Sequence, residues 1–270
     1  MSQLPFDIPD SLKKHEKALH AMLAPCIDLK LVSPKGPVET LASRLLGRPC
    51  LQHVGDWPRS PDGRPLGFVG QINLSIVSAE CGILPPLPDH GLLSLFYNFD
   101  SMPDGSRLED RYDFRLLWAP SLEGLKEIAP PRDFSDIGAR AWLLGASRLR
   151  RLPSEVDAEF LLGNLSESEF LDFDRLSASL GPPSEHRLLG PADWLDGDAR
   201  EAIDRITLRL WPRSPALPQG AGWRLLWQVG GEPHLSNVAG DEVRLFVLIR
   251  DEDLLERRFL RAWVVLQRGC

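Results

Sequence analysis

Trp57-Pro58-Arg59-Ser60-Pro61 returns letter for letter as Trp211-Pro212-Arg213-Ser214-Pro215. Around this pair, shorter likenesses recur in the same order. Arg44-Leu45-Leu46-Gly47 precedes the first copy and Arg187-Leu188-Leu189-Gly190 the second. After them, Gly67-Phe68-Val69-Gly70-Gln71 is answered by Arg224-Leu225-Leu226-Trp227-Gln228, and Leu95-Phe96 by Leu245-Phe246. Phe114 to Trp118 is answered by Phe259 to Trp263. A Leu-rich tetrapeptide recurs by chance, but an ordered set whose spacing drifts only by loop lengths points to an internal duplication rather than a short-period solenoid. The expected fold class is α+β: duplicated strand-rich units in a pseudo-symmetric body, with an N-terminal helix and a helical middle segment.

Composition supports that reading. The 270 residues include 24 prolines and 22 glycines, so elements are short and connections many. No steady alternation of strand and helix is visible, which disfavours a doubly wound parallel sheet. The expected division is 1–40 as N-terminal helix and lead-in, 41–120 as first copy, 121–184 as connecting segment and 185–270 as second copy, together one compact domain.

Within that frame, Ser11 is read as capping a helix over residues 11 to 24 that Pro25 stops. Strands are expected at 67–74, 92–99 and 112–118, with loops at 75–90 and 100–111. In the middle, a short helix is read at 121–128, a strand at 139–152 and a helix opened by Ser154. Ser166 with Glu169 three residues on has capping-box spacing and opens a longer helix, which Gly181 and Pro182-Pro183 end. The second copy carries a helix at 198–206, strands at 223–229, 242–249 and 261–267, and a short helical link at 251–256.

The chemistry-bearing motifs are missing. There is no G-x-x-x-x-G-K-[ST], no G-x-G-x-x-G after a strand, no H-E-x-x-H and no G-x-S-x-G, so the expectation is a non-enzyme without metal or cofactor. The cysteines at 26, 50, 81 and 270 show no paired spacing, which argues against disulfides and zinc. A net charge of −7 and a pI near 5.4 argue against direct nucleic-acid binding and fit a basic protein partner. With no apolar run near 18 residues and no signal-like start, the chain is expected to be cytoplasmic and off the membrane.

Two sets of residues are the candidate sites. Trp194, among Asp193, Asp196 and Asp198, reads as an interface anchor on an acidic loop, joined by Asp241, Glu242, Asp251, Glu252 and Asp253 as a negative surface. Alternatively His53, Asp56, His186 and Asp193, placed at like points of the two copies, would form a cleft site. The remaining acid–histidine neighbours, Asp89-His90 and Glu232 near His234, are read as turn residues. Trp57, Trp118, Trp211, Trp227 and Trp263 are read as core pegs.

The run from Leu45-Leu46-Gly47-Arg48-Pro49 through Phe68-Val69-Gly70-Gln71-Ile72-Asn73-Leu74 to Gly91-Leu92-Leu93-Ser94-Leu95-Phe96-Tyr97 resembles the bacterial YwqG-like family. The His186-Arg187-Leu188-Leu189-Gly190 and Asp193-Trp194 stretch, then Trp223 to Gln228, Trp263 and Gln267, resemble it as well. The resemblance implies an α+β fold with internal duplication and carries no catalytic residues. Members occur among presumed immunity proteins, which implies a protein-binding role. The expected function is therefore a cytoplasmic immunity protein that occludes the active site of a toxin or effector, possibly a nuclease, through a basic surface on that partner. The alternative is a small-ligand-binding or enzymatic protein with its site in the cleft between the copies.

Overall fold

The computed structural model describes residues 7–33, 39–134, 140–154, 158, 161–181, 185–212, 222–230 and 242–269. Ten strands form one antiparallel, nearly closed sheet. They are β1 (Ala24–Val32), β2 (Arg44–Leu45), β4 (Gly67–Asn73), β5 (Leu92–Tyr97), β6 (Phe114–Ala119), β8 (Trp142–Arg151), β9 (His186–Leu188), β10 (Trp223–Gly230), β11 (Val243–Arg250) and β12 (Trp263–Arg268). Two more, β3 (Cys50–Leu51) and β7 (Lys126–Glu127), pair as a separate ribbon. The helices are α1 (Glu16–Met22), α2 (Leu74–Cys81), α3 (Glu167–Ser179), α4 (Arg200–Thr207) and α5 (Asp251–Leu255). The result is mixed α+β and dominated by strands.

The sheet order is β12-β11-β10-β9-β1-β8-β2-β4-β5-β6, and it reads alike from either end. Each outer meander is followed inward by a short strand and then a long one. The long strands are exchanged. β1 precedes the first meander in the chain but pairs with β9 of the second, and β8 precedes the second but pairs with β2 of the first.

The repeated Arg-Leu-Leu-Gly has a local cause. In each case a strand runs straight into a left-handed turn, with φ of 57° at Leu46 and Leu189 and 76° and 75° at Gly47 and Gly190. Leu46 N–H reaches Val69 O and Leu189 N–H reaches Leu226 O. A Cβ on Gly47 would stand 2.7 Å from the Ala141 Cβ, and on Gly190 2.7 Å from the Cys26 Cβ, so no larger residue fits either turn. The repeated glutamines match too: Gln71 Oε1 accepts the Cys50 N–H and Gln228 Oε1 the Asp193 N–H, both at 3.0 Å. Both are fully buried and need those partners.

Main-chain register moves the later matches. Gln71 pairs with Ser94 and Gln228 with Phe246, so Leu95 corresponds to Val247 rather than Leu245. Leu116 then corresponds to Val264, so Trp118 and Trp263 are not counterparts. Aromatic residues near the strand ends produced the letter match, whereas hydrogen-bond ladders give the structural correspondence.

Several expected elements differ. Residues 11 to 24 are a 3-10 turn (Asp10–His15) followed by α1, and Pro9 rather than Ser11 stands at the cap. Ser11 Oγ instead donates to Asp172 Oδ2 of α3 at 2.6 Å. Pro25 ends nothing; it lies in β1, a strand absent from the expectation because its outer residues alternate poorly. Residues 75–90 contain α2, opened by Asn73, whose side chain accepts from Ser75 and Ile76 N–H. The helix expected at 121–128 is turn and β7. The helix expected from Ser154 falls largely outside the described residues.

The main core lies against the sheet, and a smaller one holds α1 to α3 through Leu12, Leu19, Phe173 and Leu176. There Ser166 and Glu169 make the capping box, with Glu169 Oε2 accepting Ser166 N–H at 2.8 Å. A hydrogen bond from Lys14, aided by Ser166, holds the Glu169 carboxyl down to about 2. A depressed carboxylate stabilises the fold above its unfolded value and loses that contribution as pH falls toward the folded one. The stability difference between wild type and Glu169→Gln, read by denaturant unfolding, is therefore full above pH about 4.5 and vanishes toward pH 2.

The outer strands β6 and β12 meet at a seam. The Phe114 and Trp263 rings are edge to face at 5.4 Å. Trp263 Nε1 donates to Gly105 O at 2.9 Å, and Leu266 N–H to Asp104 O at 3.2 Å. On the other side Phe259, in the β11–β12 connection, packs on Trp118 at 5.3 Å. Each connection thus covers the other half's edge strand, which removes the template for edge-to-edge pairing. Gly105 has φ of +82° and a Cβ there would lie 2.2 Å from Val264 O, whereas Gly63, at φ +85°, has open space. Gly63→Ala should cost about 1 kcal/mol of left-handed strain and Gly105→Ala at least about 3 kcal/mol, because the seam must also part. Thermal melts of the two variants, followed by circular dichroism, check the difference.

Candidate functional site

Below the seam lies a cleft of about 670 Å³ between the β5–β6 connection and the end of β12. Asp104, Glu109, Asp110, Asp113 and Asp196 face it, against the guanidinium groups of Arg107 and Arg268. Hydrogen bonds hold its walls. Asn98 Oδ1 accepts the N–H groups of Asp100 and Ser101, and its Nδ2 donates to Asp113 Oδ1 at 2.6 Å. Tyr97 Oη donates to Pro103 O at 2.6 Å. On the opposite wall Gln267 Oε1 accepts Leu195 and Asp196 N–H and its Nε2 donates to Gly197 O, pinning the 193–198 loop to β12.

The carboxylates are not alike. Burial pushes Asp110 up, and the charge of Asp104 adds to it. At Asp104 burial also pushes upward, but hydrogen bonds from Ser106 outweigh it and hold the group below its ordinary range. Five carboxylates against two guanidinium groups suit a cationic group entering from solvent. Among the described residues no three His, Cys, Asp or Glu side chains come together as metal ligands.

Of the predicted residues Asp196 alone lines this cleft; the other described ones lie elsewhere and in separate roles. His53 and Asp56 sit on an exposed 3-10 turn, where Asp56 Oδ2 accepts the His53 N–H at 2.9 Å. His186 is buried in β9 and its Nδ1 accepts the Gly230 N–H at 3.2 Å. Asp193 is ion-paired to Arg187. Nor are the four at like points: Arg187 matches Arg44, so His186 matches Ser43 and Asp193 matches Cys50. Asp89 and His90 do bond to each other, at 2.7 Å, but both are more than half exposed.

The acidic set is laced with arginine. Asp198 is paired with Arg200, Glu242 with Arg244, and Asp251 with Arg224. Asp253 is fully buried between Arg258 and Arg261. Asp196 and Glu252 are exposed, Asp196 on the seam cleft. Asp241 and His234 lie outside the described residues. Trp194 is half-buried, its ring 4.7 Å from that of Phe246. What the sequence reading missed is the acidic run at Asp104, Glu109, Asp110 and Asp113. Its composition was visible in a Pro/Gly-rich loop, but nothing local placed it opposite β12.

A cation held in the cleft should lose affinity as pH falls, beginning above the ordinary Asp value of 3.8 because Asp110 is raised. Calorimetric titration with spermidine between pH 7 and pH 4 measures this; affinity constant across that range would remove Asp110 from the site.

No helix among the described residues is long and apolar enough to cross a membrane. No curated protein matches the chain. One family model does, over residues 43–268, from β2 through β12 and so across both meanders. The chain belongs to the family described as a domain of unknown function, DUF1963.

Proposed function

We propose that this protein is a cytoplasmic immunity protein of YwqG-like type, which binds a basic toxin or effector and blocks its active site, with the seam cleft receiving cationic side chains of that partner. The observation that carries the reading is the cleft itself: five carboxylates against two guanidinium groups, presented between the two meanders. The net charge of −7 favours encounter with a basic surface, such as that of a nuclease. The ordered repeats and matching turns support an origin by internal duplication, with the cleft at the junction of the copies.

Co-expression with the product of the adjacent reading frame, followed by calorimetry, tests the proposal. A one-to-one complex is expected, weakened at least tenfold by Glu109→Gln with Asp196→Asn, and weakened further as ionic strength rises. A complex indifferent to both substitutions removes the cleft from the interface; no complex with the neighbouring product removes the immunity reading.

A second reading is favoured by the cleft's volume. At about 670 Å³ it falls within the range of about 300–1,000 Å³ typical of small-molecule sites. A small polycation would then be the ligand, and saturable spermidine binding without any protein partner would favour it.

A further inference from the structure

A second pocket, of about 210 Å³, opens beside Trp194 and Trp223, with Leu161, Leu225, Arg200 and Arg224 around it. We infer that it takes an apolar side chain and an adjoining carboxylate from an extended segment of a partner polypeptide. This site is separate from the seam cleft and opposite to it in charge.

The first half supplies the template. Counting from the matched arginines and glutamines, Trp194, Trp223 and Leu225 correspond to Leu51, Leu66 and Phe68. Those three form one buried cluster with Ile128. Ile128 arrives on an extended segment of the same chain: β7 pairs Lys126 with Leu51 and Glu127 with Cys50, and Ile128 N–H donates to Pro49 O at 3.0 Å. The place of Pro49 is taken in the second half by Ala192, which also lines the pocket. So the first half fills this space with its own strand and an isoleucine, and among the described residues the second half leaves a cavity there. Its volume suits one side chain and lies below the range of about 300–1,000 Å³ for a drug-sized ligand.

Charge defines the rest. In the first half Glu127, beside the isoleucine, pairs with Arg44 at 3.0 Å. In the second half Arg187 is already served by Asp193, and the guanidinium groups at the pocket are Arg200 and Arg224. Asp198 and Asp251 hold these two in place, both pairs partly exposed. A guanidinium has five N–H donors, and Asp251 engages Arg224 at Nε, so a second carboxylate can join it. A carboxylate next to the anchor side chain is therefore the matching group. The acidic residues singled out from the sequence act here as braces for a basic pocket. An added segment of this kind is a known mode of recognition, with backbone pairing giving affinity and the pocket giving specificity.

The test uses the full chain and a capped synthetic peptide with the sequence of residues 122–130, titrated by calorimetry at low salt. Saturable binding with a Kd below about 1 mM is expected. The double variant Arg200→Glu with Arg224→Glu should bind at least tenfold more weakly, and a peptide carrying Glu127→Lys should recover binding to it. A peptide carrying Ile128→Asp should not bind the wild type. Circular dichroism and thermal melting verify that the double variant is folded. Absence of binding at 5 mM (about −3 kcal/mol) overturns the inference. So does binding unaffected by the double variant, which would place the peptide at the first half in exchange for residues 126–128.

Discussion

The nine-residue antiparallel pairing of β1 with β8 is the joint on which everything else depends. Each of these strands is the inner neighbour of the other half's meander, so separating them would divide the sheet at its middle into two five-stranded halves. The pairing buries Asp28 completely, and Arg151 answers it with two N–H bonds at 3.3 and 2.7 Å. A buried pair of this sort adds little net stability, yet removing one partner costs several kcal/mol because the other charge remains in the interior. Its effect is therefore on register: a slip of one residue between the strands would put the two charges on opposite faces of the sheet. Cys26, next to Asp28, shares this environment. Burial pushes its thiol up to about 11, with the Asp28 charge adding to it, so it is an inert packing group rather than a nucleophile.

From that joint the sheet curves until β6 and β12 face each other. Two connections then do what a final ladder would do in a closed barrel. The Gly105 turn covers β12, and the Phe259 turn covers β6. This arrangement concentrates loops of both halves at one place. The acidic cleft arises there because those loops carry charge that a paired strand could not, and they keep it solvated. The proposed binding function is consequently tied to the parts of the sheet that remain unpaired, which is the usual division between a rigid scaffold and the loops it positions.

The two halves differ in how they treat their arginines. Arg44 bonds to Thr40 O, Arg48 O and Glu127, Arg187 to Pro191 O and Asp193. One carboxylate comes from a distant segment, the other from six residues along. That exchange leaves the Trp194 pocket bordered by other arginines and open. A surface that appears negative by count is thus a mosaic, in which most of the singled-out carboxylates are already neutralised.

Much of the framework could be read directly. Arg-Leu-Leu-Gly marks a strand running into a left-handed turn, because only glycine fits against the neighbouring Cβ, and the buried glutamines recur because both halves need the same main-chain partner. The apolar runs of β4, β5, β10, β11 and β12 declared themselves, as did α3 through its capping box. β1 and β7 did not. Their short or mixed patterns gain meaning only from the strands they join, since a strand's burial is set by its neighbours rather than by its own residues. The candidate sites follow the same division. Sequence alone determined that the chain carries acidic loops, buried tryptophans and two like meanders. Only the tertiary structure decided which carboxylates meet arginine and which meet solvent, because charge pairing acts across distances of space, and the fold brings residues 104 and 196 together from separate loops, and Arg224 of β10 to Asp251 of α5.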